Sequence, residues 1–420
     1  MRVNSIKIIT IFLILFSNQS IAQKDLQFIN ATYESSIQTV QINRLGSAVE
    51  DALAPPVTQV NRRGLVLSFD DLREDADYYY VYFIHCNADW SPSRIRPNMY
   101  LNAYNEFEIA SFEFSAEAKQ MYVNYSIELP AFKASGNYLA VVYRDKDKED
   151  IVLSRRFYVF EEKVKAGLKI TRSTNPGNQR THQRFEVTLN YAELNAVDPK
   201  TQFKVNVRQN QRDDYTAFEL PTTFIDQNSK LIRYQNFGEQ NEFPGTNEFR
   251  NFDLGTVTFN GRNIQDVKVQ RNEVFAELRT DQPLADTYLQ QLDINGQFYI
   301  RDLEGRAGSN TAEYIRTNLK LEYPETNEKV FVIGAFNNWR TSKDFEMIFN
   351  RSSELYEIEL LVKQGWYNYT YVTSGVNTQE IDGTFFDTEN FYEAFVYFRT
   401  MGGRGDQLVG YVTNAFNTRR

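Results

Sequence analysis

Apolar and polar residues alternate with a period of two along much of this chain, and no long stretch has the period of a helix. Because neighbouring side chains of a strand point to opposite faces, this alternation predicts strands with one buried face. Turn sequences rich in Asn, Gly and Pro separate the alternating runs. The clearest predicted strands cover residues 65–69, 78–86, 122–129, 138–143, 185–191, 203–207, 274–278, 298–300, 330–333, 356–362, 367–372 and 395–398.

Short strands separated by regular turns predict an all-β protein built from antiparallel β-sandwiches. The length of 420 residues is enough for three domains of ordinary size. Two short charged and polar segments, residues 161–165 and 322–329, have the composition of domain junctions. We therefore predict three tandem immunoglobulin-like β-sandwich domains, which cover residues 24–162, 163–321 and 322–420.

Residues 1–22 have the pattern of a secretory signal peptide. Arg2 and Lys7 provide a positive start, residues 8–16 are largely apolar, and Ser20 and Ala22 are small residues at the positions that a signal peptidase reads. The apolar run is shorter than the roughly 20 residues that span a bilayer. The sequence therefore predicts an exported protein with no membrane insertion of its own.

The overall composition limits which partners the protein can bind and how its fold can be stabilised. The formal net charge is −9 and no basic stripe is visible, so nucleic acid is a poor partner. One Cys cannot form an intramolecular disulfide, so stability has to come from packing. The 26 Tyr and 32 Phe suit the half-buried surfaces of sheets.

The segment from Tyr82 to Ser93 contains the only Cys, one of the two His and one of the three Trp. His85, Cys86 and the nearby Asp89 suggest a thiol catalyst at first sight. In a strand, however, His85 and Cys86 point to opposite faces, so His85 cannot act as the base for Cys86. We predict that Cys86 is a buried packing residue and that this segment has no catalytic role.

Other catalytic and metal-binding sites have little support in the sequence. Two isolated His and one Cys cannot form a usual zinc site. Residues 145–150 carry alternating carboxylates but lack the Gly that a calcium loop needs, so they predict a hairpin turn. Asp and Glu are too numerous to select a catalytic pair, which leaves a hydrolase as a weak alternative. We predict no catalytic, cofactor-binding or metal-binding residues, no cofactor and no small-molecule substrate.

The segment from Val330 to Trp339 is an apolar strand that runs into the sequence Gly-Ala-Phe-Asn-Asn-Trp. It resembles the opening of the early-set domains related to starch- and glycogen-binding modules, and the resemblance continues through residues 355–360 and 365–371. Trp339 matches the first sugar-stacking Trp of those modules, whereas Thr370 stands where glycogen-binding members carry a Lys. A glycan-binding module with Trp339 as the stacking residue is therefore the alternative function.

Several longer segments together resemble one family, the plug proteins of the type IX secretion system. They cover nearly the whole chain after the predicted signal peptide. These segments are residues 67–72, 85–93, 135–139, 155–157, 243–253, 330–339 and 405–411.

The resemblance implies a non-enzymatic protein of the periplasm, at the inner side of the outer membrane. Proteins of this family associate with SprA, the large translocon β-barrel of the outer membrane, and close the periplasmic end of its channel when no substrate is being secreted. The family has no catalytic or cofactor residues to transfer to this chain. No motif identifies the residues that contact the translocon, so the sequence predicts none.

Overall fold

The structure is a computed structural model that describes residues 24–46, 48–236, 238–288, 290–304, 310–376 and 378–418. In these residues the regular secondary structure is almost entirely β, which confirms the predicted all-β class. The predicted signal peptide, residues 1–22, lies outside the described residues. No helix in the described part of the chain is both long and apolar enough to cross a membrane.

All twelve strands predicted from alternation overlap strands of the structure. The described strands are, in chain order, β1 (Ala31–Thr32), β2 (Ile37–Arg44), β3 (Val57–Gln59), β4 (Leu65–Asp71), β5 (Tyr79–Cys86), β6 (Phe107–Glu108), β7 (Ser111–Phe114), β8 (Val123–Glu128), β9 (Gly136–Arg144), β10 (Ile151–Phe160), β11 (Lys165–Arg172), β12 (His182–Asn190), β13 (Phe203–Gln209), β14 (Thr216–Ala217), β15 (Phe224–Asp226), β16 (Leu231–Tyr234), β17 (Glu242–Pro244), β18 (Arg250–Asp253), β19 (Ile264–Val269), β20 (Val274–Leu278), β21 (Phe298–Ile300), β22 (Tyr314–Leu321), β23 (Val330–Ile333), β24 (Glu346–Asn350), β25 (Leu355–Lys363), β26 (Gly365–Thr373), β27 (Asn390–Phe398) and β28 (Gln407–Phe416).

Helices are few and short in the described residues, and two of the three α-helices begin with Pro, which suits the first turn of a helix. The α-helices are α1 (Val49–Leu53), α2 (Pro97–Tyr100) and α3 (Pro199–Gln202). Single 3-10 turns cover Asp213–Tyr215, Glu239–Asn241, Ala335–Asn337 and Lys343–Phe345.

The first sandwich, β1–β10, packs two sheets face to face. One sheet has the order β1-β10-β9-β5-β6, with β3 parallel to β10, and the other has the order β2-β4-β8-β7. Inward-facing side chains from both sheets form one core, which includes Phe69, Phe83, Tyr125 and Phe157. Because these side chains recur at every second position of their strands, the alternating pattern of the sequence translates directly into this core.

The second sandwich is built from two separate parts of the chain. One of its sheets has the order β11-β12-β16-β15, with β17 paired to β12, and the other has the order β14-β13-β27-β28. Side chains such as Phe185, Val205 and Val396 form the core between them. The second sandwich therefore consists of β11–β17 together with β27 and β28.

The third sandwich, β18–β26, lies in the chain between the two parts of the second. Its nine strands form one sheet of the order β18-β26-β23-β24-β25-β22-β20-β19, with β21 paired to β26. Strand β24 pairs with both β23 and β25, so it connects the two halves that enclose the core. That core contains Ile315, Val332 and Tyr371.

The sheets do not follow the predicted boundary at residues 321 and 322. Strand β13 pairs with β27 from Phe203–Phe398 to Gln209–Tyr392, so one sheet joins the middle of the chain to its end. Residue 322 lies in the loop between β22 and β23, inside the third sandwich. The number of independently folding domains stays a prediction.

This pairing predicts how fragments of the chain behave. A fragment of residues 322–420 lacks β13, β18, β20 and β22, which pair directly or through a neighbour with its own strands. We expect it to be unfolded, whereas residues 163–420 keep every strand pair of the second and third sandwiches. Far-UV circular dichroism and urea unfolding would measure this difference. Cooperative unfolding of the 322–420 fragment would contradict the prediction.

Candidate functional site: the buried junctions between the sandwiches

His85 is a structural cross-link inside the first sandwich. Its Nε2 lies 3.1 Å from the carbonyl oxygen of Ser135, and its Nδ1 lies 2.9 Å from Oγ of Ser93. A carbonyl oxygen only accepts hydrogen bonds, so Nε2 carries the proton and Nδ1 accepts from the Ser93 hydroxyl. Burial lowers the pKa of His85, which is consistent with a neutral ring.

The sequence Ser135-Gly136-Asn137 is explained by this cross-link. A Cβ at Gly136 would lie 2.2 Å from Nε2 of His85, and the Gly136 φ of +154° is one that other residues rarely adopt. Asn137 then donates from Nδ2 to the carbonyl oxygen of Asn87 at 3.0 Å. Gly136 therefore leaves room for the imidazole, and Asn137 fixes the turn that begins at Asn87.

Cys86 lies on the opposite face of β5 and is fully buried. Burial raises the pKa of its thiol to about 12, so the thiolate that a nucleophile requires is disfavoured. It belongs to a buried apolar cluster, and its Sγ donates to the carbonyl oxygen of Ile84 at 3.7 Å. The predicted separation of His85 from Cys86 is confirmed, and Cys86 is a packing residue.

A tight turn after Cys86 directs Trp90 into the interior. Asn87 N–H donates to the carbonyl oxygen of Ser91 at 2.8 Å, and the Asp89 carboxylate accepts from Ser91 N–H at 2.9 Å. Trp90 has a φ of +66°, which is uncommon for a bulky residue and is held by these bonds. Its ring is 4% exposed and lies 5.3 Å from the ring of Tyr158.

These side chains belong to a buried cluster that joins the first sandwich to the second. Tyr158 of β10 stacks on Phe395 of β27, with ring centroids 4.3 Å apart. The buried members of this first–second junction are Val57, Cys86, Ala88, Trp90, Leu139, Val141, Ile151, Tyr158, Phe395, Tyr397 and Leu408. The segment from Tyr82 to Ser93 therefore holds the second sandwich against the first.

Buried polar groups fix the position of the first–second junction. The Asp406 carboxylate accepts from Ala88 N–H at 3.0 Å and from Arg399 Nε at 2.6 Å. Arg399 also donates to Oδ1 of Asn87 at 2.8 Å, and Tyr397 donates its hydroxyl to Oδ1 of Asn137 at 2.8 Å. Three of these four bonds cross the junction, so sliding the two sandwiches would break several bonds at once.

A second junction connects the first sandwich to the third through a buried ion pair. Nζ of Lys363 lies 2.7 Å from Oδ2 of Asp70, and both side chains are almost completely buried. Tyr314 donates its hydroxyl to the same oxygen at 2.7 Å, and Asn124 donates to Oδ1 at 2.7 Å. Burial lowers the pKa of Lys363, although Asp70 opposes this shift. The Lys363 ammonium also lies over the Tyr122 ring at 4.1 Å.

The segment of residues 243–253 connects the second sandwich to the third. Asn390 of β27 donates to the carbonyl oxygen of Gly245 at 2.8 Å. Further along, the guanidinium of Arg250 pairs with Asp382 at 2.7 Å and with Asp281 at 3.0 Å. A Cβ at Gly245 would lie 2.0 Å from the carbonyl oxygen of Phe385, so only Gly allows this close crossing.

Sequence reasoning singled out these segments but not the residues that pair with them. Lys363, Tyr314 and Arg399 have no local signal, because their partners lie far away in the sequence. The one local hint is Arg155-Arg156, two charges in the middle of an otherwise apolar strand.

Trp339, the glycan-stacking candidate, is 8% exposed. The Arg212 guanidinium lies over its ring at 4.1 Å, and the Phe249 ring lies 5.5 Å away. A Cβ at Gly296 would approach the Trp339 ring to 2.3 Å, so that edge of the ring is also covered. A sugar needs an open ring face for stacking, and this geometry gives the glycan alternative no support.

The described residues contain no group of three or more His, Cys, Asp or Glu side chains placed to hold a metal ion. Residues 145–150 form the turn between β9 and β10, in which Arg144 pairs with Asp150 at 2.8 Å. The fold and its junctions therefore define an all-β protein in which three sandwiches are joined by buried contacts.

Comparison with known proteins supports the predicted resemblance. Residues 37–161 match the family model described as type 9 secretion system plug protein 1st domain, in agreement with the resemblance that the segments of the sequence predicted. A crystal structure at 2.30 Å of a hypothetical protein from Parabacteroides merdae is similar, with 27% identity and a TM-score of 0.86. The match covers 93% of this chain and 100% of that one. No curated protein matches the chain.

Replacing Cys86 should affect stability and thiol chemistry alone. We expect Cys86→Ala to lower the free energy of unfolding by about 1–2 kcal/mol, because it leaves a small cavity in the first–second junction. In the native wild-type chain, Ellman's reagent should leave the thiol unmodified until urea unfolds the protein. Fast modification of the native chain would show that Cys86 is accessible and contradict its assignment as a packing residue.

The Asp70–Lys363 pair should be sensitive to removal of one partner. We expect Lys363→Met to lower the free energy of unfolding by about 3–5 kcal/mol, because it leaves Asp70 buried without its ammonium. The double variant Asp70→Asn, Lys363→Met should lose less unfolding free energy than Lys363→Met alone. The exposed pair Lys329–Glu346 is the matched control, and Lys329→Met should cost about 0–1 kcal/mol. Equal losses of unfolding free energy for Lys363→Met and Lys329→Met, measured by urea unfolding, would refute the importance of this junction.

Proposed function

We propose that this chain is exported to the periplasm, binds the outer-membrane translocon SprA and closes the periplasmic end of its channel when no substrate is present. The observation that carries the proposal is the match of residues 37–161 to the plug family. The family indicates a location in the periplasm or at the outer membrane. The signal peptide predicted at residues 1–22 supplies the route of export in this proposal.

The architecture is consistent with the rigidity that a plug requires. A cover over a channel wide enough for proteins has to stay rigid, since bending at a joint would open a leak. The aromatic stack at Tyr158–Phe395 and the ion pair Asp70–Lys363 are both buried between sandwiches. Domains that are joined by well-packed, buried interfaces move less than domains on free linkers.

Strand β7 is the surface feature that we propose for contact with the translocon. It lies at the edge of its sheet, all four of its residues are exposed, and its rings Phe112 and Phe114 are 5.9 Å apart. Met121, which is 46% exposed, precedes the neighbouring strand β8. An edge strand with exposed aromatic side chains can accept an extended segment of a partner and also bury apolar area.

Co-purification with affinity-tagged translocon tests both parts of the proposal. Wild-type chain should be recovered with SprA, and the double variant Phe112→Ser, Phe114→Ser should be recovered about tenfold less, because exposed aromatic residues are typical binding hot spots. Phe259→Ser is the matched control, since Phe259 is 63% exposed and lies between β18 and β19. Undiminished recovery of the double variant would rule out β7 as the contact.

Closure of the channel needs a separate measurement in cells. Deletion of the gene should make cells sensitive to large antibiotics that an intact outer membrane excludes, and wild-type chain should restore resistance. Unchanged permeability in a deletion strain whose secretion is intact would overturn the occlusion role. Absence of wild-type chain from the tagged translocon would overturn the binding role.

A further inference from the structure

The three sandwiches meet around a cavity of about 120 Å³. Its lining includes Val40 and Arg155 from the first sandwich, Arg208 from the second, and Phe298 and Trp339 from the third. A cavity of this size holds several water molecules or one small organic molecule. Its walls combine arginines with apolar and aromatic side chains, so they suit a ligand that has both a charge and an apolar part.

Arg155 is the unusual residue of this cavity, because no carboxylate forms an ion pair with it, although Asp213 also lines the cavity. Its guanidinium donates to Oδ1 of Asn338 and to the carbonyl oxygen of Val40, which are both neutral acceptors. Its Nε is buried and has no hydrogen-bond partner. A guanidinium has five donor hydrogens in a planar fork, so donors of Arg155 remain unused. Leaving such a donor buried and unpaired is costly.

Two neighbouring arginines, in contrast, form ion pairs with carboxylates. Arg156 pairs with Asp213 at 3.0 Å, and Arg208 pairs with the buried Glu393 at 2.8 Å. Arg340 increases the excess of positive charge near Arg155, since it donates to the carbonyl oxygen of Asn30 rather than to a carboxylate. Burial, together with the charge of Arg340, lowers the pKa of Arg155 to about 10, although Asp213 opposes this shift. In the described surroundings, four arginines (Arg155, Arg156, Arg208 and Arg340) face two carboxylates, Asp213 and Glu393, so positive charge is in excess.

We propose that this cavity binds a small organic carboxylate, whose oxygens accept from Arg155. Arginine and carboxylate form two parallel hydrogen bonds in their preferred geometry, and the unpartnered Nε is one of the donors that such a fork uses. The apolar part of the ligand would lie against Phe298 and Trp339. Since the cavity is lined by all three sandwiches, the bound ligand connects them. This site does not depend on the proposed role at the translocon.

Isothermal titration calorimetry on the full chain without its signal peptide tests the site. Acetate, malonate and succinate are the probes, with sodium sulfate and chloride as inorganic anions, all at one ionic strength. We expect saturable binding of at least one carboxylate with a one-to-one ratio and a rise in the melting temperature. Arg155→Met should weaken binding about tenfold or more, because it removes a charged hydrogen-bond partner.

Two further variants keep the test decisive. Arg63→Met is the matched control, because Arg63 is a largely exposed arginine of the same sandwich, and its binding should equal the wild type. Arg155→Lys retains the charge without the planar fork, so it should fold and still bind more weakly than the wild type. No saturable binding of any carboxylate to the wild-type chain would overturn the proposal. Equal binding by the wild type and both Arg155 variants would also overturn it.

Discussion

The structure depends on the burial of both faces of one sheet, the β1-β10-β9-β5-β6 sheet of the first sandwich. Eight of the nine residues of β9 are buried. One face of β9 places Tyr138, Ala140 and Val142 in the first core, and the other places Leu139 and Val141 in the first–second junction. A sheet that is apolar on both faces needs a cover on each side. The docking of the second sandwich is therefore part of the folded state of the first.

Charged groups in the junctions determine which docked arrangement forms. Apolar burial is non-directional and would tolerate small rotations of one sandwich on another. The Asp70–Lys363 pair is satisfied in one relative position only, because the carboxylate also accepts from Tyr314 and Asn124. Buried pairs of this kind contribute little net stability, since desolvation offsets their attraction. Their contribution here is a fixed geometry, which apolar contacts alone do not supply.

Local patterns of the sequence predicted the strands and the opposite faces of His85 and Cys86, because a period of two is a property of each strand alone. The junctions were not predictable in this way. Strand β13 pairs with β27 across some 180 residues, and no local feature of either strand identifies its partner. Trp339 shows the same limit of local patterns. Its motif resembles that of a sugar-stacking Trp, but Arg212 and Phe249 cover its ring in the fold.

Arg155 and Arg156 show how a junction changes the pattern of a strand. They interrupt the apolar run of β10, and both line the cavity at which the three sandwiches meet. Arg156 extends over the Trp90 ring at 4.2 Å, so it belongs to the same cluster as the His85–Ser93 segment. The segments by which the chain resembles the plug proteins thus converge on the contacts between sandwiches. For a body proposed to cover a channel, these contacts are the parts that have to resist bending.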